Sequence, residues 1–141
     1  MKFTGILASL ALVALPASAT SVSVAFDTTY DNASGSLTSV ACSDGANGLI
    51  TRGFTTFGSL NAFPNIGAAG VVEGWNSQNC GTCWQLTFGS NSINVLAIDH
   101  AGSGSFNLAL AAMNTLTNGQ AQQLGRITAD ATLVAASNCG L

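Results

Sequence analysis

The chain has 141 residues, with 3 Lys+Arg, 6 Asp+Glu, one His and a formal net charge of −3 at pH 7. Charged residues are only 6% and hydrophobic residues 48%, which excludes a charged disordered tail and a basic nucleic-acid footprint. A single His excludes a histidine-built metal centre, 16 Gly argue against a helix bundle, and no uninterrupted apolar run reaches the roughly 18 residues of a membrane span.

Residues 1–19, MKFTGILASLALVALPASA, read as a secretory leader: Lys2 gives the positive start, 6–15 the apolar stretch, and Pro16 breaks it. Ala17-Ser18-Ala19 supplies the small residues of a cleavage site, so cleavage is expected after Ala19. That leaves one domain over 20–141, exported to the extracellular space, with Arg52 and Arg126 as its only fixed cations.

Within 20–141 the first strand is expected over 22–26, where apolar and small residues alternate. A weaker alternation suggests a strand over 37–42. A helical turn is expected over 59–62, stopped before Pro64. Val71-Val72 look strand-like ahead of Gly74-Trp75. Trp84, Leu86 and Phe88 alternate with Gln85 and Thr87, the pattern of a half-buried strand. Residues 93–98 are nearly continuous and β-branched, so this strand should be central. One helix is expected, capped by Ser105, carrying Phe106, Leu110 and Met113 on one face, and ended by Asn118-Gly119. Residues 127–134 alternate again, with Thr128, Asp130 and Thr132 on the polar side. Asp44-Gly45, Asn47-Gly48, Gly89-Ser90-Asn91 and Gly102-Ser103-Gly104 are turn signals. Six short strands and one clear helix predict a small, mostly β barrel, closed so that no sheet edge is left exposed.

The four cysteines, Cys42, Cys80, Cys83 and Cys139, all follow the leader, and an even count in an exported chain reads as two disulfides. The Cys80-Gly81-Thr82-Cys83 spacing is shared with redox motifs, but here Cys83 runs into a strand-like segment, not a helix. A four-thiolate zinc site does not suit an oxidising compartment. Of three pairings, Cys42–Cys80 with Cys83–Cys139 is preferred, because each bridge closes a long loop and the second pins the C-terminus.

Chemistry-bearing groups are few. Asp99 follows the central strand and precedes His100 and a Gly-rich turn, a position suited either to a groove rim or to turn capping. His100 is more simply read as a solvated side chain than as a base, and no nucleophile elbow or metal-ligand spacing accompanies it. Glycoside hydrolysis ordinarily needs two carboxyl groups across one bond, and no second carboxylate sits in a recognisable motif. Sugars present apolar faces to aromatic rings, which makes Tyr30, Trp75 and Trp84 relevant. Trp84 reads as core, Trp75 is open to either reading, and Tyr30, in a polar segment, is expected to be exposed. Asn32-Ala33-Ser34 is an N-glycosylation sequon.

Several runs together resemble the cerato-platanin family: Tyr30-Asp31-Asn32-Ala33-Ser34, Cys42-Ser43-Asp44-Gly45, Asn47-Gly48-Leu49-Ile50-Thr51, Gly74-Trp75-Asn76-Ser77, Cys80-Gly81-Thr82-Cys83 and Ile93 through Asp99. The resemblance covers essentially all of 21–141. It implies a small secreted fungal protein with a six-stranded double-ψ β-barrel, one or two short helices and the same two disulfides. It also implies binding of chitin-type N-acetylglucosamine oligomers, expansin-like non-hydrolytic loosening of cell-wall polysaccharide, self-association at interfaces and elicitation of plant defence. Asp99 matches the family's groove aspartate, with Tyr30, Asp31, Asn32, Asn76, Ser77, Gly81 and Thr82 expected to line the same groove. Phe26 departs from the tyrosine of many relatives and so lacks its hydroxyl. The expected protein is non-catalytic and extracellular, associated with cell walls, and takes chitin- or cellulose-type oligosaccharides as partners, with a plant receptor as a further candidate, and without metal, cofactor or nucleic acid. The alternatives are a weak endoglucanase-like glycosidase and a surface-active elicitor whose groove is incidental.

Overall fold

The computed structural model describes residues 18–141, together with Gly5 and Ser9, so the expected leader lies almost wholly outside the described residues. Six strands form a closed barrel: β1 (Thr20–Phe26), β2 (Ile66–Ala69), β3 (Cys83–Phe88), β4 (Asn91–His100), β5 (Ser105–Leu108) and β6 (Ile127–Val134). Their order around the barrel is β1-β5-β2-β4-β3-β6. The β1–β5 and β2–β4 pairs are parallel and the other four antiparallel, so every strand has two neighbours and the described sheet has no free edge.

The strongest sequence signals give the expected strands. β4 buries Ile93, Val95, Leu96, Ala97 and Ile98, because the barrel covers one of its faces and helix α1 (Leu110–Thr117) lies over the other. A two-residue loop, Gly89-Ser90, joins β3 to β4, and Asn91 ties this hairpin to the end of α1 through Leu116 O and Asn118 Oδ1. α1 ends where expected, with Asn118 in the left-handed conformation. A second helix, α2 (Ala121–Leu124), follows, which makes the two short helices the family resemblance allows, although no local sequence signal marked its position.

Four expected elements are corrected. Residues 37–42 form no strand. Leu37–Ser39 is a 3₁₀ turn whose Thr38 N–H donates to Ser36 Oγ, and the segment then crosses β4 through the single backbone bond Cys42 N–H to Ile98 O. Val71-Val72 lie in the turn after β2, with Val72 N–H donating to Ala69 O. The true strand, Ile-Gly-Ala-Ala, is too short and too small in side chain to show alternation, yet all four residues are buried. Gly67 is required there, since a Cβ would sit 2.4 Å from Asn107 O and 2.8 Å from Leu108 Cα on β5. Ser105 begins β5 and does not cap a helix, because closing the barrel between β1 and β2 uses Ser105–Leu108 as a strand. The helical turn expected at 59–62 falls at Phe57–Ser59 as a 3₁₀ turn, where Thr56 and Ser59 form a reciprocal capping box.

The disulfides pair Cys42 with Cys80 and Cys83 with Cys139. Each limits the unfolded chain by about 4 kcal/mol in the loop-closure model. The first ties the loop after the Leu37–Ser39 turn to the loop before β3. The second fastens the C-terminal 3₁₀ turn, Ala136–Cys139, to the start of β3. Among the described residues, no helix is long and apolar enough to cross a membrane.

Candidate functional site

Register aligns one row of residues across four strands: Asp99 on β4, Ala68 on β2, Asn107 on β5 and Ala25 on β1. Aligned residues share a face of the sheet. Within this row Ala25, Asn107 and Asp99 are partly exposed and Ala68 is buried, whereas Val24, Phe106 and Ala69 in the adjacent row are all buried. A cavity of about 240 Å³ opens beside this row, lined by Ala25, His100, Asn107 and Arg126 among others.

Asp99 is partly exposed and firmly held. Its Oδ2 accepts from Tyr30 Oη at 2.8 Å, and its Oδ1 accepts from the backbone N–H groups of Ala41 at 2.9 Å and His100 at 2.8 Å. A carboxylate has about four acceptor positions, so three such bonds fix its orientation and leave room for one more donor. The His100 ring turns away to Val72 O, 2.6 Å from Nδ1.

Tyr30 corrects the expectation of an exposed ring. It is only 6% exposed and packs at a tilt on Phe57, with ring centres 6.1 Å apart. Burial, and then its bond to the Asp99 carboxylate, push its phenol well above the ordinary tyrosine range. Its polar sequence neighbours, Asp27, Thr28 and Thr29, point the segment toward solvent, but the 3₁₀ turn Thr28–Asp31 folds the ring inward.

Asp31 is occupied by a structural task. Its two oxygens accept from Leu110 N at 2.7 Å and Ala111 N at 2.9 Å, capping α1 from 79 and 80 residues away. The helix's own preceding residue, Ala109, provides no side-chain cap. Asn32 is exposed, and its Oδ1 accepts from Ser34 N–H at 3.1 Å.

The second cluster lies on the loop before β3. Asn76, left-handed at φ 59°, clasps the 42–48 turn: Asn47 N–H donates to its Oδ1 and Asn47 Nδ2 to its carbonyl, both at 3.0 Å. Ser77 Oγ accepts from Asn79 N–H at 3.1 Å. Gly81 is buried with its N–H on Ala97 O, and Thr82 Oγ1 donates to Asn79 O while accepting from Trp84 Nε1. Tyr30 and Asp99 therefore meet directly, whereas Asn76 and Ser77 shape a different loop.

Trp75, undecided from sequence, is 63% exposed and donates its indole N–H to Asp44 Oδ1 at 2.7 Å. That bond is the main cause holding the exposed Asp44 carboxyl below its usual range. The Asp44-Gly45 turn signal marks the location, but nothing local in the sequence marks the pairing.

A sequence profile of the family described as Cerato-platanin matches residues 22–141. The chain is 44% identical to the "Heat-stable 19 kDa antigen" of Coccidioides immitis, over all of this chain and 99% of that one. The crystal structure of cerato-platanin 2 from M. perniciosa superposes with a TM-score of 0.82 at 54% identity, covering 86% of this chain and 100% of that one. The solution structure of the fungal elicitor Cerato-Platanin gives a TM-score of 0.72 at 36% identity, covering 84% of this chain and 96% of that one. The profile match, the identities and the shared barrel together establish that this chain belongs to the cerato-platanin family.

Proposed function

We propose that the protein is exported and binds chitin-type N-acetylglucosamine oligomers without cleaving them, loosening wall polysaccharide by competing for its hydrogen bonds. The observation that carries this reading is the Asp99 carboxylate, partly exposed and fixed by three donors, with one acceptor position to spare. A sugar hydroxyl or N-acetyl N–H fits that position. Each such contact is worth only about 1 kcal/mol net, so single-ring affinity is weak and longer oligomers bind better.

The absence of hydrolysis rests on the company Asp99 keeps. Its hydrogen-bond partners are a phenol and two backbone amides, and no second carboxylate sits with it in a recognisable sequence motif of the kind glycosidases pair across the bond. Asp27, whose charge reaches Tyr30, is engaged by Thr29 N–H. The leader-like start and the two disulfides support export. The relative titled a fungal elicitor supports a second reading, elicitation of plant defence, which is compatible with the first.

The test is titration of the protein with N-acetylglucosamine oligomers by NMR or calorimetry, wild type against Asp99→Asn. The substitution keeps shape and one acceptor oxygen but removes the charge. Binding should weaken several-fold while the amide spectrum outside 30–41 and 99–100 stays unchanged. Unaltered affinity would refute the site, and release of reducing ends from the oligomers would refute the non-hydrolytic mechanism.

A further inference from the structure

Trp75 is the one large aromatic side chain among the described residues left mostly in solvent; the other large exposed hydrophobics are Leu124, on α2, and Leu133, on β6. It is nevertheless held in place. Its N–H is fixed by Asp44, Asn76 beside it is clasped twice by Asn47, and the Cys42–Cys80 bridge ties the two loops together. Gly45, at φ +81°, keeps the turn open, since a Cβ there would meet Asn76 at 2.7 Å and the Trp75 ring at 3.1 Å. A ring that is rigid before contact loses little conformational freedom when something stacks on it.

The surroundings indicate what stacks. Trp75 borders a cavity of about 480 Å³ whose other lining residues are the carboxylate Glu73, Gly74 and the polar run Asn76, Ser77, Gln78 and Asn79. On the Asp44 side, a cleft of about 340 Å³ is lined by Thr38, Ser43, Asp44 and Ile50. A protein-docking or self-association surface has a contiguous apolar centre, and a single ring among amides, hydroxyls and the carboxylates of Glu73 and Asp44 does not provide one. A pyranose chain is the ligand with matching chemistry: an apolar ring face for the indole and hydroxyl or N-acetyl groups for the amides.

The indole also lies in reach of the Asp99 site. Ala41, which donates to Asp99, and Asp44, which accepts from Trp75, are three residues apart, at most about 11 Å of backbone. We infer that Trp75 is an aromatic platform that stacks a sugar ring of the same β-linked glycan chain whose other end is held at Asp99. This rests on the glycan-binding reading above and adds a second subsite, so the protein measures oligomer length.

The test compares chitobiose and chitohexaose binding by calorimetry for wild type, Trp75→Ala, Trp75→Phe and Asp99→Asn, with tryptophan emission recorded alongside. Trp75→Ala should weaken chitohexaose about tenfold, equivalent to about 1.4 kcal/mol, and leave chitobiose affinity unchanged. Trp75→Phe should keep most of the affinity, yet lose the emission change that chitohexaose causes in the wild type. Because the ring is exposed, neither variant opens a cavity, and an unchanged melting temperature checks this. Unchanged chitohexaose affinity in Trp75→Ala, with weakening in Asp99→Asn, overturns the platform and leaves the Asp99 reading standing. The reverse pattern sustains the platform and overturns Asp99. A wild type that binds neither oligomer overturns both, and altered sedimentation of Trp75→Ala with equal glycan binding makes Trp75 a self-contact and overturns the platform.

Discussion

Tyr30 is the only tyrosine in the chain, so its ionisation can be read without interference from another phenol. In the folded protein its hydroxyl is buried and donates to Asp99 Oδ2 at 2.8 Å, and both burial and the adjacent carboxylate oppose the phenolate. In the unfolded chain the same group ionises near its ordinary value of 10.0. Above that pH the unfolded state releases a proton that the folded state keeps. The native state then binds more protons, and stability falls as pH rises. The contribution is complete below pH 10 and is lost at about 1.4 kcal/mol per pH unit above it. All four cysteines are bridged, so no other phenol and no thiol among the described residues competes for this window. Two measurements check the reasoning: tyrosinate absorbance against pH, and urea unfolding at pH 9, 10 and 11 for wild type and Tyr30→Phe. Tyrosinate should appear only as the protein unfolds, and the wild-type loss of stability between pH 10 and 11 should be absent from the variant. A reversible tyrosinate transition near pH 10 in the folded protein would show that the phenol is neither buried nor bound to Asp99.

Two further predictions concern the scaffold. Asp31→Ala removes both carboxylate caps from α1 and should cost about 1–2 kcal/mol in chemical unfolding, with amide exchange quickened at Leu110 and Ala111; equal stability would mean that water caps the helix as well. Gly67→Ala drives a methyl into the β5 backbone and should destabilise by about 3 kcal/mol or prevent recovery of folded protein, whereas Gly53→Ala, where a Cβ meets nothing within 4 Å, should cost about 1 kcal/mol from its positive φ alone; comparable stability of the two would refute the close-approach argument.

Local pattern was enough for the elements that carry their own evidence. β3, β4 and β6 show alternation or a continuous β-branched run over six to ten residues, and these strands form where expected. The even cysteine count, with loop lengths favouring one pairing, anticipates both bridges. β2 and β5 are different. Four residues each give no period to read, and Ile66–Ala69 is buried only because β4 and β5 close on either side of it.

The site divides the same way. Asp99, at the end of the central strand, was visible as a rim candidate because a carboxylate there interrupts an apolar run. What it does depends on Tyr30, 69 residues earlier, and on Ala41, 58 earlier, which only the folded barrel brings to it. Asp31 looked like a neighbour of the same kind, yet the fold spends its charge on the start of a helix 79 residues downstream. Trp75 could not be placed at all until the Cys42–Cys80 bridge and the Asn47–Asn76 clasp set its ring in solvent. Sequence determined which residues are apolar, which strands are strong and which chemical groups exist; tertiary structure decided which polar groups are consumed by one another and which remain for a ligand. The reason is that hydrogen-bond partners are chosen by distance in space, and across a barrel that distance has no fixed relation to separation along the chain.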